Sequence, residues 1–214
     1  MTQGGQFITF EGGEGAGKST QVKLLADALE RAGIEVVSTR EPGGSAGAEA
    51  IRSLLVTGAV DRWDAHTEAL LHTAARRDHL ARTVWPALDR GAWVVCDRFA
   101  DSTLAYQGYG HGLSKDFITG LTRLAVGDFK PDLTFVLDLT VEEGLRRAGG
   151  RGGAEDRYER MGTAFHERLR QGFLEIAHNE PDRCAVIDAS LAPEEVHQTV
   201  MRAVKGRLLG FCVP

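Results

Sequence analysis

Residues 12–19 read GGEGAGKS, which fits the pattern G-x-x-x-x-G-K-[ST] at Gly12, Gly17, Lys18 and Ser19. A strand-like apolar run precedes the octapeptide and an amphipathic helical run follows it, the context in which such a loop grips phosphate. Gly12, Gly13, Gly15, Ala16 and Gly17 let the backbone wrap so that successive N–H groups face phosphate oxygens, and the helix N-terminus adds positive potential. Lys18 would bridge the β- and γ-phosphates of a nucleoside triphosphate, and the Ser19 hydroxyl would sit on Mg²⁺. Glu14 is the odd member, a carboxylate placed beside bound phosphates. The loop names the class of molecule held and leaves open what is done with it.

The elements that must position this loop are legible as alternating patterns. Four or five short apolar runs read as strands: Gln6–Glu11, Ile34–Thr39, Ala92–Asp97, Asp132–Asp138 and Cys184–Asp188. Their cores are nearly continuous, as suits strands covered on both faces. Between them lie helical patterns. Ser19–Ala32 places Val22, Leu25, Ala28 and Leu29 on one stripe, with Gly33 as its stop. A long segment from about Asp64 to Arg90 carries Leu70, Ala74, Leu80, Val84 and Leu88, and Pro86 predicts a kink in it. Ser114–Val126, Thr140–Ala148 (Thr140 and Glu143 at capping-box spacing), Asp156–Asn179 and Pro193–Leu209 complete the set. Such alternation predicts an α/β fold, a parallel sheet with helices on both sides. Fourteen of the 26 glycines fall in four clusters, each downstream of one of the first four strands, where an open parallel sheet forms its ligand crevice.

Composition bounds the alternatives. At 214 residues, 43% hydrophobic and 26% charged, the chain reads as one globular domain, residues 1–214, and not as a disordered or fibrous one. A formal net charge of −5 argues against a dedicated nucleic-acid or membrane-surface binder. Cys96, Cys184 and Cys212 are odd in number and far apart, which supports neither a disulfide framework nor a zinc site. No stretch approaches the roughly 18 apolar residues of a membrane span, and no leader pattern opens the chain. The expected location is the cytoplasm. No N/T-K-x-D is present for a GTPase, and a motor or transporter ATPase would want partner domains. A nucleotide kinase fits this loop in a chain of this size.

The chain resembles the bacterial thymidylate kinases. The residues that carry the resemblance are FEGGEGAGKS (10–19), TREPGG (39–44), AAR (74–76), DRF (97–99), STLAYQG (102–108), GDFKPDLTFVLDL (127–139) and RRAGGRGGAEDRYE (146–159), in family order across roughly residues 7–209. The resemblance implies a P-loop NTPase-type fold with a five-stranded parallel sheet surrounded by helices, a short arginine-rich lid at about 146–157, and a homodimer. It implies transfer of the γ-phosphoryl of ATP to dTMP with Mg²⁺, giving dTDP and ADP. The alternatives are a related P-loop kinase for another nucleotide or deoxynucleoside, and a nucleotide-binding regulator without catalysis.

Residue by residue, the resemblance makes Asp97 a support for Mg²⁺ and Arg98 the group that holds donor and acceptor phosphates together. A guanidinium fork suits that task. Arg76 is expected to donate to the thymine edge. His72 stands one helical turn earlier, where many relatives carry Phe, and is expected to stack on the base. Ser102, Thr103, Tyr106 and Gln107 are expected at the pyrimidine and sugar, with the Tyr106 ring standing where a ribose 2′-OH would protrude. Glu14 is expected at the sugar 3′-OH or the hydrated Mg²⁺, and Arg40 and Glu41 at the acceptor phosphate. Arg52 could reach the same place but reads better as a helix-surface charge. No basic residue lies within the variable positions of the phosphate loop, so the catalytic arginine is expected from the lid, Arg151 first and Arg147 second, with Arg146 and Arg157 in the same stretch. Residues 211–214 lie beyond the resemblance.

Overall fold

The computed structural model of the chain describes residues 4–150 and 155–209. In chain order the elements are β1 (Phe7–Glu11), α1 (Lys18–Arg31), β2 (Val36–Arg40), α2 (Ala46–Val56), α3 (Ala65–His79), α4 (Trp85–Asp89), β3 (Trp93–Asp97), α5 (Ala100–Thr103), α6 (Lys115–Val126), β4 (Leu133–Asp138), α7 (Val141–Gly149), α8 (Thr163–Asn179), β5 (Cys184–Asp188) and α9 (Pro193–Arg207). Wider π-helical turns cover Leu80–Val84 and Leu104–Gly110. The five strands form one parallel sheet in the order β2-β3-β1-β4-β5, as expected from the alternation.

Strand periodicity explains the two-sided core. Ile8 and Phe10 of β1 point to one face, where Leu25 and Leu29 of α1 and Val196 and Val200 of α9 cover them. Phe7 points to the other, against Val94, Leu80 and Val84, and Val136 of β4 meets Leu169 and Phe173 of α8. Thr9 and Thr134 stand side by side in register and share a hydrogen bond of 2.8 Å, so two buried hydroxyls satisfy each other. β1 lies between β3 and β4: the chain runs from β1 to the β2–β3 side, and the connection from β3 then crosses to the β4–β5 side. The crevice this opens beyond the strand ends is where an α/β sheet binds its ligand.

Four local expectations are corrected. The segment 64–90 is not one kinked helix: α3 ends at His79, a π-helical turn follows, and Pro86 sits in the first turn of α4, where its missing N–H is not needed. Leu70 and Ala74, part of the apolar pattern of that segment, are exposed, while Thr73, Ala75, Arg76 and His79 are buried, because α3 turns a polar face toward the crevice. The helix expected from Asp156 starts only at Thr163, since Arg157 is drawn into the protein body instead. Thr140 makes no side-chain cap, and Glu143 pairs with Arg146 and Arg147 rather than reaching back. The sequence also left α2 unread; Ser45 caps it by accepting from the Ala48 N–H.

Candidate active site

The phosphate loop turns sharply out of β1. Gly12 adopts φ of 134°, and a Cβ there would collide with the Leu137 carbonyl of β4. Gly15, at φ of 70°, lies so close to the Gly144 carbonyl of α7 that no side chain fits. Gly17, at φ of 86°, leads into α1, whose first N–H groups receive no side-chain cap and no acidic neighbour in the first turn. That is an open anion site. Lys18 folds over the loop, donating to the carbonyls of Gly13 at 2.7 Å and Gly12 at 3.2 Å. Burial, then Arg98, lowers its ammonium to about 8, against the pull of Glu14 and Asp97. The Ser19 hydroxyl donates to the Asp97 carboxylate at 2.5 Å.

Arg98 follows β3 and is the one non-glycine residue with a left-handed backbone among the described residues, at φ of 72°. Its guanidinium donates to the Gly12 carbonyl (2.9 Å), the Ser102 hydroxyl (3.2 Å) and Glu14 (3.1 Å), and lies over the Tyr106 ring. Burial opposes its charge, but Tyr106, Glu14 and Asp97 outweigh burial and hold it firmly protonated. Burial likewise disfavours the Glu14 carboxylate, yet Arg98 and Lys18 win and lower it to about 2. Glu14 also accepts from the Tyr106 hydroxyl at 2.5 Å.

Two connected hollows open here. The larger, about 670 Å³, is lined by the loop from Glu14 to Ser19, by Arg40, Asp97 and Arg98, and by Arg160. The smaller, about 110 Å³, runs between His72, Arg76, Phe99, Ser102, Thr103, Tyr106, Gln107 and Tyr158. Glu14, Glu41, Arg52 and Arg98 line both. In the smaller hollow Arg76 is nearly fully buried. Its Nε donates to Glu41 at 2.7 Å and its Nη2 to the Phe99 carbonyl and Thr103 hydroxyl, both at 2.9 Å, while Nη1 has no hydrogen-bond partner. The Gln107 amide donates to Glu68 at 2.8 Å, which leaves its Oε1 without a partner.

Several expected roles change with this geometry. Both oxygens of Glu41 are engaged by Arg76 and by His79, at 2.7 and 2.9 Å, so Glu41 orients Arg76 instead of presenting itself to a phosphate. Arg52, read as a surface charge, donates to the Pro42 carbonyl at 2.8 Å and pairs with Glu155 at the rim of both hollows. Arg40 also stands at the rim, paired with Glu49. His72 bonds the Tyr158 hydroxyl at 2.8 Å, its ring tilted against that of Tyr158. Arg147, the second choice for the catalytic arginine, is turned onto Glu143 and the Ala189 carbonyl and does not line the crevice. Arg157 is fully buried, donating to the carbonyls of Leu55, Ala59 and Val60 and pairing with Glu68. It is an anchor, not a lid charge. Arg151 lies outside the described residues, as do Cys212 and the tail 211–214.

Glu68, His79, Tyr158 and Glu11 were missed by the sequence reading. Only Glu11 carried a signal, a carboxylate ending an otherwise apolar strand. The others reveal themselves by whom they touch.

A parallel sheet of this order, an uncapped helix N-terminus behind a Gly-x-x-x-x-Gly-Lys-Ser loop, and a Ser–Asp pair beside it define a P-loop nucleoside-triphosphate-binding protein. The comparisons narrow the class. Residues 10–200 match the family model described as thymidylate kinase. The chain is 59% identical over 208 residues to a thymidylate kinase of Caulobacter vibrioides, covering 97% of this chain and 99% of that one. It is 52% identical over 206 residues to one of Bradyrhizobium sp. strain ORS 278, covering 95% and 91%. Its fold matches the crystal structure of thymidylate kinase from Ehrlichia chaffeensis with a TM-score of 0.75 at 38% identity, covering 94% of this chain and 99% of that one. The chain belongs to the thymidylate kinase family.

Proposed function

We propose that the two hollows hold ATP and dTMP end to end, with Arg98 between them. The chain is a kinase that moves the γ-phosphoryl of ATP to dTMP, giving dTDP and ADP, a step of nucleotide biosynthesis. The backbone N–H groups from Gly13 to Ser19 and the Lys18 ammonium take the donor phosphates. Arg98, with Arg40 and Arg52 at the rim, takes the acceptor phosphate, so that the reacting groups meet despite like charge. There is no covalent intermediate. The protein positions two anions and neutralises charge as it shifts.

The residues fit Mg²⁺. Ser19 and Asp97 present two hard oxygens side by side, and no group of three or more His, Cys, Asp or Glu able to hold a metal exists among the described residues. Mg²⁺ is commonly held by one or two protein oxygens, with phosphate and water completing its shell. When bound it would neutralise phosphate charge that builds up during transfer. Ser19 and Asp97 would hold it there.

One observation carries the choice of base. Arg76 offers a spare donor and Gln107 a spare acceptor, both buried, in the smaller hollow. The imide edge of thymine presents an acceptor, O4, beside a donor, N3–H. Cytosine presents the reverse order and would leave both protein groups unpaired, which is costly in a buried site. The Tyr106 ring, fixed by Glu14 and Arg98, forms the wall beside the sugar, and Ser102 and Thr103 border it. His72 supplies an aromatic face toward the base.

We read the chain as one domain whose catalytic arginine comes from the stretch 146–157. The exposed Leu70 on α3 and Leu124 on α6, at 52% and 87% exposure, support a homodimer through that side. Among the described residues no helix is long and apolar enough to cross a membrane. We read the work as cytoplasmic because both proposed substrates, ATP and dTMP, are charged soluble nucleotides. The test is ADP release with MgATP and a panel of nucleoside monophosphates and nucleosides, with Lys18→Ala as control. Turnover dominated by dTMP is expected. Preference for a cytidine nucleotide, or no dependence on acceptor, would overturn the assignment.

A further inference from the structure

β1 ends in a carboxylate that the reaction described above does not use. Glu11 is fully buried, and no ion pair involves it among the described residues. A carboxylate in such a place needs donors. Three come from one short stretch after β3: the Phe99 N–H at 2.7 Å, the Ser102 N–H at 3.3 Å and the Ser102 hydroxyl at 2.6 Å. Burial raises its carboxyl to about 7, with Asp101 adding to the rise and Ser102, Arg98 and the Phe99 N–H opposing it.

What those bonds hold in place is Arg98. Its left-handed backbone is uncommon for a residue with a side chain and persists only where the surroundings fix it. Here β1 fixes it from both sides. The Arg98 N–H donates to the Phe10 carbonyl at 2.9 Å, and the next N–H, of Phe99, donates to the Glu11 carboxylate. The Ser102 hydroxyl then links the two side chains, donating to Glu11 and accepting from the Arg98 guanidinium at 3.2 Å. The strand that opens into the phosphate loop is thus the same strand that aims the arginine between the two phosphates.

We propose that Glu11 is a positioning residue of the phosphoryl transfer, acting through the Phe99 N–H and the Ser102 hydroxyl to set the direction of Arg98. The proposal rests on the functional reading above, in which Arg98 lies between donor and acceptor. Glu11 touches neither substrate. Its removal should therefore leave ATP binding alone and be felt in kcat.

Glu11→Gln keeps the volume and an acceptor for Phe99, but sets an amide N–H against the Ser102 hydroxyl, which must turn. In the wild-type background kcat should fall about tenfold, in keeping with the steep cost of small misplacements, while Tm and the Kd for ATP measured without dTMP hardly move. In an Arg98→Ala background the same change should cost nothing further, because the group it aims is gone. Ser102→Ala, which keeps the carboxylate and its two backbone donors, should lower kcat similarly, and the Glu11→Gln/Ser102→Ala double variant should be no worse than the poorer single one.

Equal losses in both backgrounds, multiplicative losses with Ser102→Ala, or a kcat that falls only as Tm and ATP affinity fall would overturn the proposal and make Glu11 a brace of the fold. Absence of dTMP-dependent turnover in the unaltered protein would instead bring down the functional reading, and this one with it.

Discussion

Arg76 on α3 and Glu41 beyond β2 meet at 2.7 Å with side chains 2% and 3% exposed, and His79 bonds the other oxygen of the same carboxylate. The pairing turns a charged side chain into a fixed donor: Nε and Nη2 are committed to protein, and Nη1 is left for a ligand. Breaking a buried pair from one side strands the other charge. Arg76→Leu should destabilise the protein by about 3 kcal/mol in urea unfolding and raise KM for dTMP at least tenfold, with KM for ATP little changed. An unchanged KM for dTMP would remove Arg76 from the base site.

The His72 imidazole is desolvated, which lowers it to about 4, with Arg76 and Arg157 disfavouring its charge against Glu68 and Glu41. Its folded value lies below the unfolded value near 6.5. The native state thus refuses a proton that the unfolded chain accepts, so this contribution is present above pH 6.5 and is lost as pH falls toward 4. The loss amounts to at most about 3 kcal/mol. Urea unfolding at pH 7.0 and 4.5 should show a smaller drop for His72→Phe than for the wild type. At pH 7.5 the same variant should keep its dTMP turnover, since either ring offers a face; a large fall in kcat/KM would sink the stacking role.

Arg157 and Arg151 sit six residues apart in the arginine-rich stretch but should behave as opposites. Arg157 is wholly engaged by the Leu55, Ala59 and Val60 carbonyls and by Glu68. Arg157→Ala should lower stability by about 3–5 kcal/mol and reduce activity mainly through the fraction folded. With Arg147 also committed elsewhere, Arg151→Ala should lower kcat by about 10³ while leaving dTMP binding nearly unchanged. A melting curve and a kcat for each variant decide both statements.

Removing Mg²⁺ with a chelator should abolish turnover reversibly. Asp97→Asn leaves a neutral oxygen where the carboxylate accepts from Ser19, so it should raise the Mg²⁺ concentration needed for half-maximal rate. Lys18→Ala should lower kcat by about 10² or more, since it removes a donor aimed at charge that shifts in the transition state. Normal metal dependence in Asp97→Asn would take that residue out of the metal site.

By itself the sequence determined the parts that local chemistry dictates. Five apolar runs separated by amphipathic ones specify a parallel sheet with helices on both faces, and each strand lies within two residues of its expected start and one of its expected end. The phosphate loop was equally legible, because close packing on Leu137 and Gly144 demands glycine at Gly12 and Gly15 and leaves a pattern in the chain. What the tertiary structure decided was the fate of the charged residues. Nothing near Arg157 in sequence says that it will satisfy carbonyls about a hundred residues earlier, nor that Glu41 will meet Arg76 and Glu11 will meet Ser102. An arginine reads the same whether it awaits a phosphate or anchors a loop. Only the set of acceptors that folding brings within about 3 Å distinguishes the two.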